Sequence, residues 1–251
     1  SHEYILTYTK VKDRFQRNLL PRDEKHNKDY RNPDNDPRGL WTSGSMLATT
    51  FSEKSVFEII TPSGKRFLPP EGRCWRFSKE KIEELTKDNR IWFGIDGNNV
   101  PRVKRFLSEM PDGIVPQSLL FYQQVGSGQD GTQEVKALFN NKLIFNFPKP
   151  IQLIKHLLRI ATNNNDIILD FFAGSGTTGH AVMELNAEDG GNRKFILCQI
   201  DEAIKEDKPA YKFCVENNLA PVISSITIER LRRAGEKIKK EIEEKNSKEG
   251  L

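Results

Sequence analysis

Three cysteines in 251 residues, Cys74, Cys198 and Cys214, stand far apart and form no C-x-x-C pair. The sequence therefore offers neither a disulfide framework nor a zinc cluster, and no metal site is expected. A reducing compartment such as a cytoplasm fits that scarcity. No apolar run approaches the ~20 residues needed to cross a bilayer, so no membrane span is expected. Strong charge of one sign is lacking too. The net charge is +4, and the whole excess lies between Lys10 and Asn140. A mild, local excess permits a polyanion partner without requiring one. Aromatics, by contrast, are plentiful: 15 Phe and 3 Trp exclude a largely disordered chain. A chain of this length buries one large core or two modest ones.

The sequence divides into three parts. HEYILTYT, residues 2–9, is aromatic and β-branched and reads as a strand with a partner lying upstream. Residues 10–35 are highly charged without apolar periodicity and read as a linker or mobile loop. From Pro33 to about Gly131, NPDNDPRG, TPSGK, PPEGRCW, GIDGNNVP and MPDGIVP cut the chain into short pieces, as in a loop-rich domain of short strands. One helix is expected there from Ser78, a capping residue, to Lys87. The last third is regular. Ile151, Ile154, Leu157, Leu158 and Ala161 follow helical spacing after Pro148 and Pro150. The strand Ile167-Ile168-Leu169-Asp170 follows, then FFAGSGTTG, a helix to about Leu185, and a strand KFILCQI ending near Asp201. Strand, glycine turn, helix and strand make a parallel α/β unit. Two more helices are expected, at 208–218 and about 227–245. The second carries Ile228, Leu231, Ala234, Ile238 and Ile242 as its apolar stripe, and Glu229/Arg233 and Glu236/Lys240 as a solvated face.

Gly174, Gly176 and Gly179 spell G-x-G-x-x-G, a spacing shared with dinucleotide-binding turns. The pattern alone does not name the cofactor. Asp170, four residues before Gly174, places a carboxylate beside the turn, where it attracts an amino or sulfonium group and repels a pyrophosphate. Phe172, Ser175, Thr177 and Thr178 complete DFFAGSGTT, a narrower pattern than three spaced glycines.

FNFPKPIQLIKHLLRIAT followed by ILDFFAGSGTTGHAVMELN resembles motif X followed by motif I of the amino-methyltransferases of DNA, in the order where target recognition precedes cofactor binding. NPDNDPRGLW, PPEGRCWRFS, RIWFGIDGNNVPRVKRFLSEM and EDGGNRKFILCQIDE resemble the modification subunit of type III restriction-modification systems. The resemblance covers nearly the whole chain. It implies an α/β fold: part of a Rossmann-like S-adenosylmethionine-dependent methyltransferase sheet plus an irregular α+β target-recognition domain. The expected division is 1–32 (strand and linker of the methyltransferase core), 33–140 (recognition) and 141–251 (cofactor binding with C-terminal helices). The resemblance implies S-adenosylmethionine as cofactor, with Asp170, Phe172, Ala173, Gly174, Gly176 and Thr177 lining its pocket and Phe147, Lys149 and Pro150 closing it. Related enzymes place an acidic residue at the end of the second strand to hold the ribose. Here that position is Gln199, with Asp201 two residues on, and either is a candidate.

In the recognition region Arg38, Arg66, Arg73, Arg76, Arg90, Arg102, Lys104 and Arg105 alternate with Trp41, Trp75, Phe77, Trp92, Phe93 and Phe106. Arginine reads guanine or clamps phosphate, asparagines such as Asn98 and Asn99 read adenine, and aromatic rings stack on or wedge between bases. The DNA contacts expected are Arg38, Trp41, Arg73, Trp75, Arg76, Arg102, Lys104 and Arg105. In the family a D-P-P-Y segment grips the flipped adenine, and no such segment occurs in this sequence. The expectation is accordingly a C-terminal fragment, inactive by itself and completed by an N-terminal methyltransferase segment upstream of HEYIL. Further expected partners are double-stranded DNA, a second modification subunit and a restriction subunit with helicase and nuclease activity. Two other readings stay open: a non-enzymatic DNA-binding or specificity module, and an NAD-dependent oxidoreductase built on the glycine turn.

Overall fold

The computed structural model describes residues 2–249, which form two compact units: residues 21–114, and residues 2–20 together with 115–249. These boundaries differ from the expected 1–32, 33–140 and 141–251. Residues 21–32 join the first unit because Arg31 exchanges backbone hydrogen bonds with Trp41. Residues 115–140 join the second because Val135 and Phe139 are buried in its core with Ile144, Phe213 and Ile226.

In the unit of residues 21–114, β1 (Trp41–Gly44), β2 (Ile59–Ile60), β3 (Arg66–Phe67), β4 (Ile91–Trp92) and β5 (Arg102–Phe106) are short, as the Gly and Pro punctuation requires. β5 lies between β1 and β4, antiparallel to both, and β2 pairs with β3. Helix α1 (Lys79–Lys87) begins where expected, with Ser78 Oγ accepting from the Lys81 amide. Met46, Ile59, Trp75, Ile82, Ile91, Phe93 and Val103 form the core.

In the other unit, α2 (Tyr122–Val125) and α3 (Gly128–Leu138) precede α4 (Ile151–Ala161), β6 (Ile167–Asp170), α5 (Thr177–Asp189), β7 (Lys194–Leu197), α6 (Pro209–Glu216) and α7 (Ile223–Glu249). Helix α3 was not foreseen, although Ser127 and Asp130 close a capping box at its start. β6 and β7 pair in parallel, Ile167 with Lys194 through Asp170 with Leu197, and α5 crosses between them. One face of this pair is covered by α4 and α5, through Ile151, Leu158, Ala181, Val182 and Leu185. The other presents Ile167, Leu169 and Ile196 to solvent. β7 is also shorter than expected, stopping at Leu197 because Cys198 turns its backbone toward the glycine turn.

Residues 2–9 do not form the expected strand: they pair with no strand among the described residues, and Tyr4, Leu6 and Tyr8 stand exposed. An extended segment without a ladder partner leaves its backbone groups to water. Residues 10–35 hold two 3-10 turns, Lys12–Arg14 and Glu24–Asn27, in otherwise irregular chain. The stripe expected on α7 is rotated. Ile228 is 67% exposed, while Ile226, Thr227, Arg230, Ala234 and Ile238 are buried. The supposed solvated face is partly packed too, since Glu229 is buried and Arg233 lies 4.8 Å from the Phe139 ring centroid and 5.2 Å from that of Phe213.

Candidate functional site

Parallel strands joined by a crossover helix bring the ends of β6 and β7 side by side, where such folds bind ligands. The glycine turn, residues 171–176, occupies that end. Gly174 and Gly176 sit at φ +53° and +81°, conformations open to glycine, and Gly176 caps the start of α5. Gly179 answers a different demand. A Cβ there would come within 2.7 Å of Leu231 Cδ2 and 3.1 Å of Leu197 Cδ1, so its absence lets α5 approach both β7 and α7.

The turn is braced by its own carboxylate. Asp170 Oδ1 accepts from the Phe172 amide at 2.9 Å and Oδ2 from Thr178 Oγ1 at 2.6 Å. Gln199 Oε1 accepts from the Gly174 amide at 2.7 Å, which ties the end of the second strand to the turn. The Ala173 amide donates to Cys198 O and the Gly176 amide to Ala173 O. Four amides of the turn, those of Phe172, Ala173, Gly174 and Gly176, thus donate inside the chain. A turn that cradles phosphate keeps such amides free to point at the anion.

The segment before α4 reaches the same place. Thr177 Oγ1 donates to Lys149 O at 3.2 Å, and the Phe145 ring lies 3.4 Å from where a Gly174 Cβ would stand. Pro150 is buried at the helix start, and Lys149 Nζ pairs with Glu3 at 2.7 Å. Phe147 holds φ +54° with its side chain exposed, 91% accessible, and Phe172 in the turn is 87% accessible. Large rings at the surface, one of them on left-handed backbone, cost free energy that core packing does not return. Such a pair fits stacking on a flat ligand ring.

Of the expected cofactor residues, Asp170, Phe172, Ala173, Gly174, Gly176, Thr177, Lys149 and Gln199 thus all take part in hydrogen bonds within or onto the turn and the start of α5. Asp201 lies outside it, exposed, its carboxylate accepting from Ser224 Oγ on α7. The structure adds residues that sequence reasoning missed. Thr227 Oγ1 donates to Gly174 O at 2.5 Å, and the buried Arg230 donates through Nη1 to Ser175 Oγ and Thr177 Oγ1. Burial pushes the Arg230 guanidinium down to about 10, against the opposing pull of Glu134 and Glu184. Their i, i+3 spacing on α7 was visible, but a threonine and an arginine do not register in a search for an apolar stripe.

In the unit of residues 21–114 the expected DNA contacts separate into two groups. Arg73, Arg76, Arg102 and Arg105 are exposed. Arg102 and Arg105 project from β5 beside β1, Arg102 Nε donating to Ser43 Oγ at 2.9 Å. Trp41, Trp75 and Lys104 are buried, and these three expectations are corrected. Trp41 Nε1 donates to Asp34 and Trp75 Nε1 to Phe57 O. Lys104 Nζ pairs with Asp34 and Asp36 under the Trp41 and Trp92 rings. Lys104 and Arg105 point to opposite faces of β5: Lys104 lies on the face of Trp41, Trp92 and Phe106, while Arg105, on the face of Val103, stays exposed. Arg38 is half-buried in a fork on Asp36, whose carboxyl it holds far below the usual range. Among the described residues no group of three or more His, Cys, Asp or Glu is placed to hold a metal ion, and no helix is long and apolar enough to cross a membrane.

A parallel strand–turn–helix–strand unit with a braced glycine turn places the chain among mixed α/β proteins. The chain belongs to the DNA methylase family whose model, N6_N4_Mtase, matches residues 1–210. It is 32% identical over 94% of its length to the type III restriction-modification enzyme StyLTI Mod subunit of Salmonella typhimurium, covering 35% of that protein. It is likewise 32% identical over 84% of its length to the EcoPI Mod subunit of Escherichia phage P1, covering 36% of it. The type II methyltransferase M.KpnI of Klebsiella pneumoniae is 34% identical over 63% of the chain, which covers 35% of that enzyme. The chain spans about a third of the length of the curated relatives it matches.

Proposed function

We propose that this chain supplies the S-adenosylmethionine site and the target-reading surface of a site-specific DNA adenine-N6 methyltransferase of a type III restriction-modification system. The observation that carries the cofactor reading is the state of the turn: its amides are spent on Asp170, Gln199 and neighbouring carbonyls, which leaves the exposed Phe147 and Phe172 rings and the negative potential of the Asp170 carboxylate for a cationic nucleoside. A diphosphate would find those donors occupied, which disfavours a nicotinamide cofactor.

When bound, S-adenosylmethionine supplies an electrophilic methyl group on a sulfonium. The residues of this chain hold and orient it. Phe147 and Phe172 stack on the adenine ring, Asp170 adds negative potential beside the turn, and Gln199 fixes the turn against β7. Arg73, Arg76, Arg102 and Arg105 contact phosphates or guanine edges of duplex DNA. The parallel pair β6 and β7 is the nucleus of a larger Rossmann-like sheet, whose further elements cover the face bearing Ile167, Leu169 and Ile196. The target adenine must leave the stack to meet the methyl group, a step assigned to a D-P-P-Y segment supplied with this chain rather than by it. A second modification subunit and a restriction subunit complete the assembly, which works on DNA in the cytoplasm.

Calorimetric titration of the chain with S-adenosylmethionine and with NAD tests the cofactor. Binding of the first alone is expected, and binding of NAD alone overturns the reading. The alternative of a DNA module without catalysis rests on the absence of D-P-P-Y from this sequence. A methyl-transfer assay decides, with N6-methyladenine measured by mass spectrometry and a D-P-P-Y-bearing segment supplied or withheld. Transfer only on supply supports a divided enzyme, and no transfer in either arm supports the module.

A further inference from the structure

We propose that Arg230 is a positioning residue that locks together the two arms of the cofactor pocket, the glycine turn and the Phe147–Pro150 segment, through the hydroxyls of Ser175 and Thr177. The inference rests on the cofactor reading of the turn given above.

Arg230 Nη1 has two protons and two acceptors, Ser175 Oγ at 2.6 Å and Thr177 Oγ1 at 2.8 Å. Because the guanidinium donates to both, each hydroxyl keeps its own proton. Thr177 spends that proton on Lys149 O at 3.2 Å, so a continuous chain of donors runs from α7 through the start of α5 to the segment before α4. Neighbours on α7 grip the same turn. Thr227 donates to Gly174 O, and Leu231 fills the space left by the missing Cβ of Gly179.

A merely structural role explains the choice of residue poorly. The side chain is fully buried, and Nε and Nη2 find no hydrogen-bond partner among the described residues. Among the described residues no carboxylate lies within ion-pair distance of it, Glu134 and Glu184 acting only from farther away. Burying a charge in this way is costly, and an apolar residue of similar volume often serves stability as well or better. What an apolar residue cannot do is hold two hydroxyls at fixed separation. A lysine would present a point charge in place of the fork.

The test uses the full chain with Arg230→Met, Thr177→Val and the double variant. Affinity is read by titration with S-adenosylmethionine, stability by thermal unfolding, and local order by amide hydrogen exchange at residues 174–178 in the ligand-free chain. The expected result is a loss of affinity of about 10-fold in each single variant, from hydrogen bonds lost at the turn. The double variant should lose no more than either single one, because the two residues act in series. Exchange at 174–178 should quicken while β6 and β7 keep their protection, and the melting point of Arg230→Met should be unchanged or raised. Affinity falling only in step with melting point, additive losses, or unchanged exchange at 174–178 each overturn the proposal. If Arg230→Met fails to fold, Thr177→Val alone decides through affinity and exchange. A wild-type chain that binds no S-adenosylmethionine refutes the cofactor reading, while the exchange comparison still judges the lock.

Discussion

Lys104 looks like a DNA contact in the sequence, and Lys104→Ala separates that role from the one its burial assigns. The side chain is fully buried, with Nζ paired to Asp34 and, at 3.1 Å, to Asp36, whose own side chains are 17% and 0% exposed. Its ammonium lies 5.3 Å from the Trp41 ring centroid and 6.0 Å from that of Trp92. Removing one partner from a buried ion pair typically costs about 3–5 kcal/mol. Asp36 keeps the Arg38 fork and Asn89 Nδ2, so the uncompensated charge falls on Asp34, left with Trp41 Nε1 alone. The cost is therefore placed near the lower end, at about 3 kcal/mol. All three tryptophans of the chain, Trp41, Trp75 and Trp92, lie in the unit of residues 21–114, so tryptophan fluorescence reports on that unit. At a urea slope of about 1.5 kcal/mol/M the midpoint should fall by about 2 M. Adding Asp34→Asn should recover part of the loss by removing the orphaned carboxylate. The DNA-binding salt slope should stay unchanged when measured where the variant is folded. An unmoved urea midpoint together with a salt slope reduced by about one would place Lys104 on a phosphate and refute its burial.

Phe147→Gly should weaken S-adenosylmethionine binding by about 10-fold yet leave thermal stability equal or slightly higher, since glycine accepts φ +54° without strain. Calorimetry and thermal melting check the two halves of that statement. Gly179→Ala should destabilise its unit by about 1–3 kcal/mol, because the new methyl meets Leu231, Leu197 and Phe195 at 2.7, 3.1 and 3.2 Å. Circular dichroism in urea measures it, and an unchanged midpoint would refute the close packing of α5. Burial works to raise Glu184, but the His180 ring 3.2 Å away and the hydrogen bond from the Lys155 ammonium outweigh it and hold the carboxyl at about 2. Its folded value lies below its unfolded one of about 4.3, so its contribution is whole above that pH and disappears as pH falls toward 2. Acid titration followed by circular dichroism should therefore show Glu184→Gln flattening the decline over that window.

Periodicity and turn chemistry made several elements legible. The stretch from Ile151 to Ala161 reads as an amphipathic helix, IILD and the start of KFILCQI as short apolar strands, and the capping Ser78 marks the start of α1. These are short-range facts, settled by residues a few positions apart. The turn was legible for the same reason, since Asp170, Gly174 and Gly176 act within one local bend. The division of the chain was not, because residues 115–140 are drawn to one core by Val135 and Phe139 meeting Phe213 and Ile226, partners about 75 to 90 positions away.

Local chemistry in the sequence determined the strand–turn–helix unit, its glycine bend, the carboxylate that braces it and the family to which the chain belongs. Only the tertiary structure decided which cations face water and which are entombed, sending Arg102 and Arg105 outward, Lys104 onto two aspartates and Arg230 beneath the turn. A charged side chain advertises the same chemistry in either setting. Whether it meets solvent, a carboxylate or a hydroxyl depends on residues distant in sequence that folding brings beside it.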